Sequence, residues 1–204
     1  MTDRAAHWNE VYASKPPNQA SWFQAEAQPS MRMIRASGIA RDAALVDIGG
    51  GASVLVDELL TADFKDVSVL DIAETALERT ITRLGADAAK VQWIVADVLS
   101  WTPQRRYDLW HDRAVFHFLT EEKDRTAYRA VLLKALKPGG TLIVATFAAD
   151  GAERCSGLPV QRWSAETLAA EFGNEFQSIE TSKEEHRTPW GAVQPFTWTL
   201  FQKL

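Results

Sequence analysis

The chain has one cysteine, Cys155, which excludes an intrachain disulfide and any multi-cysteine zinc site. It has no apolar run long enough to span a bilayer and no charged-then-apolar segment at its start, so a soluble, cytoplasmic protein with no membrane partner is expected. Bases are in deficit. The 22 lysines and arginines against 27 acids leave a net charge of -5, the wrong sign for gripping phosphate backbones, so nucleic acid is not an expected partner. Repeats and low-complexity tracts are also missing, and no metal site is expected. Tryptophan, by contrast, is plentiful at eight residues. Trp22, Trp110, Trp163 and Trp190 stand beside loop or turn residues, where they suit core and rim packing or the aromatic wall of a ligand pocket. A length of 204 residues fits one domain, 1–204, that buries its core without crosslinks.

From Ala43 onward, short apolar runs alternate with longer helical patterns, the signature of βαβ units and a parallel sheet. "ALVDIGGG", "DVSVLDI", "VQWIVADV", "YDLWHD" and "TLIVATFA" read as five strands, the third ending at Asp97 and the fifth apolar on both faces. Helices are predicted over "ASVLVDELLTA", over "AETALERTITRLGA" closed by Gly85, over Thr120 to Leu136 stopped by "KPGG", and over "SAETLAAEF" with a serine cap. The end, with "TPWG" between two extended runs, reads as a β-hairpin. Residues 1–40 are expected to be a helical lid segment broken at "KPPNQ", ahead of a sheet and hairpin over 43–204.

"VDIGGGAS", Val46 to Ser53, sits where a strand turns into a helix, and glycines there let backbone approach a ligand. The nicotinamide-type fingerprint G-x-G-x-x-G fits at Gly49 and Gly51 but fails at Val54. Asp47, two residues before the first glycine, suits a cationic group. Asp71 lies 22 residues after Gly49, where an acid accepts both hydroxyls of a ribose. With Asp97 these acids suit a ligand with an ammonium, a ribose and a base edge, and they repel phosphates.

In this order the motifs resemble the class I S-adenosylmethionine-dependent methyltransferases: "VDIGGGAS", "VLD", "ADV", "YDLWHD" and "LKPGGTLIVATF", across nearly all of 43–204. Ser53 departs from that pattern, which often has a third glycine there. The resemblance implies an α/β, Rossmann-like doubly wound sheet of about seven strands, five parallel plus an antiparallel C-terminal hairpin. It also implies S-adenosylmethionine as cofactor and S-adenosylhomocysteine as product. Asp47 and the backbone of Gly49, Gly50 and Gly51 would hold the methionine moiety, Asp71 with Ile72 the ribose, and Asp97 with Val98 the adenine.

The stretch "YDLWHDRAVFHFL" then puts His111, Asp112 and Arg113 beside the reacting methyl, because ligands of open α/β sheets bind outside the carboxyl ends of the strands. His111 is the candidate base, or orients a deprotonated acceptor, or is a structural hydrogen-bonding group. Asp112 would fix its tautomer, bind the acceptor, or hold Arg113. His117, in an apolar stretch, reads as an interior histidine. Acceptor contacts are expected from three segments outside the common sheet. These are the N-terminal "HWNEVYASKPPNQASWFQ", with Trp22 and Phe23 as lid residues and Trp8 and Tyr12 on one helix face; the loop after the fifth strand, with Cys155; and the hairpin turn, with His186, Arg187 and Gln194.

The reading that follows is methyl transfer to a small-molecule acceptor by a monomer or homodimer. Its competitors are a protein lysine methyltransferase, which predicts an open acidic groove, a non-catalytic cofactor-binding module, and a nicotinamide-dependent oxidoreductase, disfavoured by Val54.

Overall fold

A computed structural model describes residues 3–14 and 16–204. Helix α1 is Asp3–Ser14 and α2 is Gln28–Ala36; between them Pro17–Gln19 forms one 3₁₀ turn. The expected break at "KPPNQ" falls here, although its Lys15 lies outside the described residues. The alternating part follows as β1 (Ala44–Ile48), α3 (Leu55–Thr61), β2 (Asp66–Asp71), α4 (Glu74–Leu84), β3 (Val91–Val95), β4 (Tyr107–Arg113), α5 (Glu122–Ala135) and β5 (Leu136–Phe147). The chain closes with the short strands β6 (Arg154–Cys155) and β7 (Leu158–Pro159), helix α6 (Ala165–Phe172), and the long hairpin of β8 (Phe176–Arg187) and β9 (Val193–Lys203).

Seven strands form one sheet in the order β3-β2-β1-β4-β5-β9-β8. The first five are parallel, and β9 and β8 run antiparallel. Strand order reverses between β1 and β4, and that switch point opens the crevice used by ligands in such sheets. One face is covered by α2, α3 and α4, whose Met31, Met33, Leu55, Leu59 and Leu77 pack on Leu45, Leu109 and Trp198. The other is covered by α5 and α6, whose Tyr128, Leu132, Leu168 and Phe172 pack on Val46, Trp110 and Phe201.

Three expectations need correction. Strand β3 ends at Val95, so Asp97 is not a strand-end residue; it sits two residues further on, where its carboxylate accepts the Leu99 N–H at 3.0 Å. "KPGG" does not separate a helix from a strand. Strand β5 already begins at Leu136, and the register steps from Tyr107↔Leu136 to Leu109↔Thr141, so the Pro-Gly-Gly segment is a bulge within the strand, with Gly139 at φ +71°. The long loop after β5 is not open: Ser156 (φ +50°) and Gly157 (φ +79°) turn it into the β6–β7 ribbon.

On the α5 side, the Trp110 indole donates to the Tyr128 hydroxyl at 2.8 Å, and that hydroxyl donates to the Asp112 carboxylate at 2.6 Å. The other Asp112 oxygen accepts the N–H groups of Val115 and Phe116. Burial pushes Asp112 up to about 6, while its donors pull the other way. Tyr128→Phe removes one donor from this buried carboxylate, and a loss of about 1–3 kcal/mol of stability is expected in urea unfolding. The loss should shrink below pH 6, where protonated Asp112 no longer needs the donor; an unchanged midpoint at pH 8 would show that the network carries no stability.

Candidate cofactor and acceptor site

Two side chains meet directly across the switch point because the β1–β4 register pairs Asp47 with His111. The Asp47 carboxylate lies 2.7 Å from His111 Nδ1, and the other ring nitrogen is 3.0 Å from the Ser30 hydroxyl of α2. Both groups are buried, and the Trp198 ring covers the imidazole at 6.2 Å. Asp112, the next residue along β4, points to the opposite face, as pleating requires, and bonds Tyr128 instead. The His111–Asp112 partnership expected from their adjacency is therefore corrected: His111 is paired with Asp47 and Ser30, Asp112 with α5, and neither lines the cavity above the glycine loop.

The glycine loop is drawn down onto the sheet. Gly49 donates to the Leu70 carbonyl at 2.7 Å and Gly50 to the same oxygen at 3.3 Å, so these amides are spent inside the protein rather than turned outward. The loop has no room for side chains. At Gly49 (φ +67°) a Cβ would stand 2.1 Å from Val115, and at Gly51 (φ +36°) 2.7 Å from an Asp71 oxygen and 2.8 Å from the Tyr12 hydroxyl. Gly50 lies over Asp47.

Above the loop is a cavity of about 310 Å³. Its floor runs from Ile48 and Gly49 through Asp71 and Ile72 to Asp97 and Val98, following the ends of β1, β2 and β3. Asp71 is buried and pushed up to about 7, first by desolvation and further by the nearby Asp47, although the N–H groups of Ala73, Ile72 and Gly51 favour its charge. A carboxylate kept from water in this way gains from any ligand that donates hydrogen bonds to it. Helix α1 forms the roof. Trp8 packs edge-on against Trp22 at 5.9 Å and Phe118 at 5.0 Å, and Tyr12 against Trp22 at 6.0 Å. Arg4 ties the roof to the far wall, reaching Asp124 and lying 4.0 Å from Asp97.

On the β4–β5 side the cavity ends at Arg113, Cys155, Leu158 and Pro159. Arg113 is buried. It donates to the Trp22 carbonyl at 3.1 Å, lies over the Phe196 ring at 4.7 Å and is 3.8 Å from Glu184. Its Nε and one terminal nitrogen have no hydrogen-bond partner. Burial pushes the Cys155 thiol up, and its sulfur is 3.9 Å from the Ser21 hydroxyl.

A second chamber of about 300 Å³ lies beyond Tyr12, Trp22 and Cys155, the residues it shares with the first. The remaining walls come from Gln19 and Ser21, from Arg154 and Ser156, and from Trp190 and Gln194. These are the three segments that the sequence marks for acceptor contacts.

Of the residues singled out in the sequence, Trp22, Gly49, Asp71, Ile72, Asp97, Val98, Arg113 and Cys155 line the first cavity. Asp47, Gly50 and Gly51 lie beneath it. His186 is set apart, with Nε2 donating to the Ser21 carbonyl at 2.6 Å, and Arg187 is exposed near the end of β8. His117 is buried and held neutral, pushed down to about 3 by desolvation and then by Arg113. Sequence reasoning missed Arg4, Leu99 and Pro159. Arg4 carried no signal, because nothing local places α1 over β3. Trp8 and Tyr12, expected on one helix face, both line the cavity, and that shared face was the signal.

A family model described as a methyltransferase domain matches residues 46–142. Nodulation protein S of Bradyrhizobium diazoefficiens is 29% identical over 154 residues, covering 74% of this chain and 68% of that protein. Among solved structures, the N-methyltransferase NodS of Bradyrhizobium japonicum WM9 in complex with S-adenosylhomocysteine superposes with TM-score 0.75 at 18% identity, covering 98% of this chain and 99% of that one. The 1,6-didemethyltoxoflavin-N1-methyltransferase of Burkholderia thailandensis, with its acceptor and S-adenosylhomocysteine bound, gives TM-score 0.68 at 18% identity over 98% and 89% of the two chains.

The raised Asp71 sets a pH dependence. Its folded value near 7 lies above the ordinary 3.8, so the folded chain holds the proton more tightly and stability falls as pH rises from about 4 to 7. The slope from this group is at most about 1.4 kcal/mol per pH unit. Asp71→Asn should flatten the upper part of that slope and raise the unfolding midpoint at pH 8, leaving below pH 6 the share that belongs to Asp112. A slope identical to that of the unaltered protein would remove Asp71 as its source.

Proposed function

We propose that this chain is a class I S-adenosylmethionine-dependent methyltransferase and that it moves a methyl group to a small-molecule acceptor by in-line displacement. The observation that supports a small acceptor is the roof: α1 carries Trp8 over the cavity beside Trp22, narrowing the approach that a protein substrate would need open.

The residues present fit the cofactor. Glycines leave a cradle that a Cβ would fill, and a desolvated carboxylate waits for hydroxyl donors. Asp71 with Ile72 takes the ribose, Asp97 and Val98 flank the adenine, and Gly49 and Gly51 let the methionine portion lie against the loop. S-adenosylmethionine supplies an electrophilic methyl group on a sulfonium. Asp47, held by His111 and covered by Gly50, sets a negative potential beneath that positively charged end. His111 is thus a positioning residue in this reading, and Asp112 fixes the turn after β4 that carries Val115 into the cavity wall.

The nature of the acceptor atom follows from which groups can take a proton. At the β4–β5 end, Cys155 stays a thiol, Arg113 is a cation and Tyr12 is pushed well up by burial. None is a base at neutral pH. An acceptor whose lone pair is free at neutral pH, such as an arylamine or an imine-type ring nitrogen, therefore fits better than an alcohol, and rate comes from alignment and exclusion of water. The names of both structural relatives, each an N-methyltransferase, point the same way.

Radiolabelled S-adenosylmethionine with a lysate of the source cells tests the reading. Label is expected in the small-molecule fraction; label on a protein band would replace it with a protein methyltransferase. Asp71→Ala is expected to weaken S-adenosylhomocysteine binding by about 1–3 kcal/mol, a factor of about 5 to 150, through lost charged hydrogen bonds. Binding by the unaltered protein near pH 7 should release protons, seen in calorimetry as a heat that depends on buffer ionisation. Equal heats in all buffers would count against Asp71 as the ribose acid.

A further inference from the structure

We infer that the second chamber is the acceptor site and that it receives a flat aromatic ring with an N–H donor on its edge. This rests on the reading of the first cavity as the cofactor site. With adenine at β3 and ribose at β2, strand order puts the methionine end over β1 and β4, and the far end of the cavity, at Arg113 and Cys155, toward β5. Among the described residues only Tyr12, Trp22 and Cys155 belong to both spaces, so an occupant of the second chamber meets the first at that end.

Three features of the chamber select its ligand. The first is aromatic surface. Tyr12 and Trp22 stand edge-to-face at 77°, a wall already fixed before anything binds. The second is Trp190, which lines the chamber yet is 63% exposed, unusual for the largest apolar side chain. It is not on a loose loop. Gly191 donates to the Thr188 carbonyl at 2.8 Å, Thr188 to Ala192 at 2.9 Å, and Ala192 to the Thr188 hydroxyl at 3.0 Å, so the turn holds the indole at the rim as a platform for a stacked ring. The third is Gln194, opposite His186 on the hairpin. It also lines the chamber, and its side-chain oxygen is buried with no hydrogen-bond partner. A buried carbonyl oxygen without a donor is costly to leave unmet, and a ligand N–H satisfies it. A saturated amine would supply the donor but not the stacking surface, and a plain hydrocarbon ring the reverse.

The test uses the full chain saturated with S-adenosylhomocysteine and four probes: indole, benzimidazole, 1-methylindole and cyclohexylamine, titrated by calorimetry. Indole and benzimidazole are expected to bind, with 1-methylindole and cyclohexylamine at least tenfold weaker. Trp190→Ala, on an exposed turn, should weaken indole at least fivefold while leaving S-adenosylhomocysteine affinity unchanged. Gln194→Leu should abolish the preference for indole over 1-methylindole. No binding of either N–H heterocycle, cyclohexylamine binding as well as indole, or Trp190→Ala without effect would each overturn the inference while leaving the methyltransferase reading standing. Failure of S-adenosylhomocysteine itself to bind would instead strike that reading.

Discussion

The site depends on the parallel register between β1 and β4. Sliding β4 by one residue would turn His111 toward α5 and bring Asp112 beneath the glycine loop, leaving Asp47 without its partner. With the register as it stands, Asp47 faces His111, Ser30 of α2 closes the other side of the imidazole, and Arg113 falls on the same face at the strand's end. The pair is nearly water-free, so removing either member would strand a polar group in the core. A cofactor cradle is thus tied to the packing of a helix and a strand some distance along the chain.

A second theme is that affinity is stored as local discomfort. Asp71 is desolvated and lies near Asp47, which raises its proton affinity and costs the folded chain stability at neutral pH. Substitution by a neutral residue would relieve that cost and remove the donor-seeking group together, the familiar opposition between stability and function at binding sites. The same holds toward β5 and the hairpin, where Arg113 and Gln194 keep buried polar atoms without hydrogen-bond partners.

Much of this was legible in the sequence because it is local. Strand patterns, the glycine turn, the acid 22 residues on and the C-terminal hairpin are each written in contiguous residues, and the sheet followed. His111 and Asp112 misled because adjacency in the chain suggested partnership, although a period of two sends neighbours on a strand to opposite faces. "KPGG" misled because proline and glycines end helices more often than they bulge strands. The chambers were legible only as a set of segments. That Trp22, Cys155 and Gln194 converge is a property of connections over more than a hundred residues, and no local rule contains it.

Among the described residues, Tyr12, Trp22 and Cys155 alone line both chambers. Outside that seam the floor of the first chamber is built from strand ends, and the second chamber from an N-terminal segment, a ribbon and a hairpin turn. Substitutions in surface segments can therefore reshape the second chamber while the sheet beneath the first is inherited unchanged.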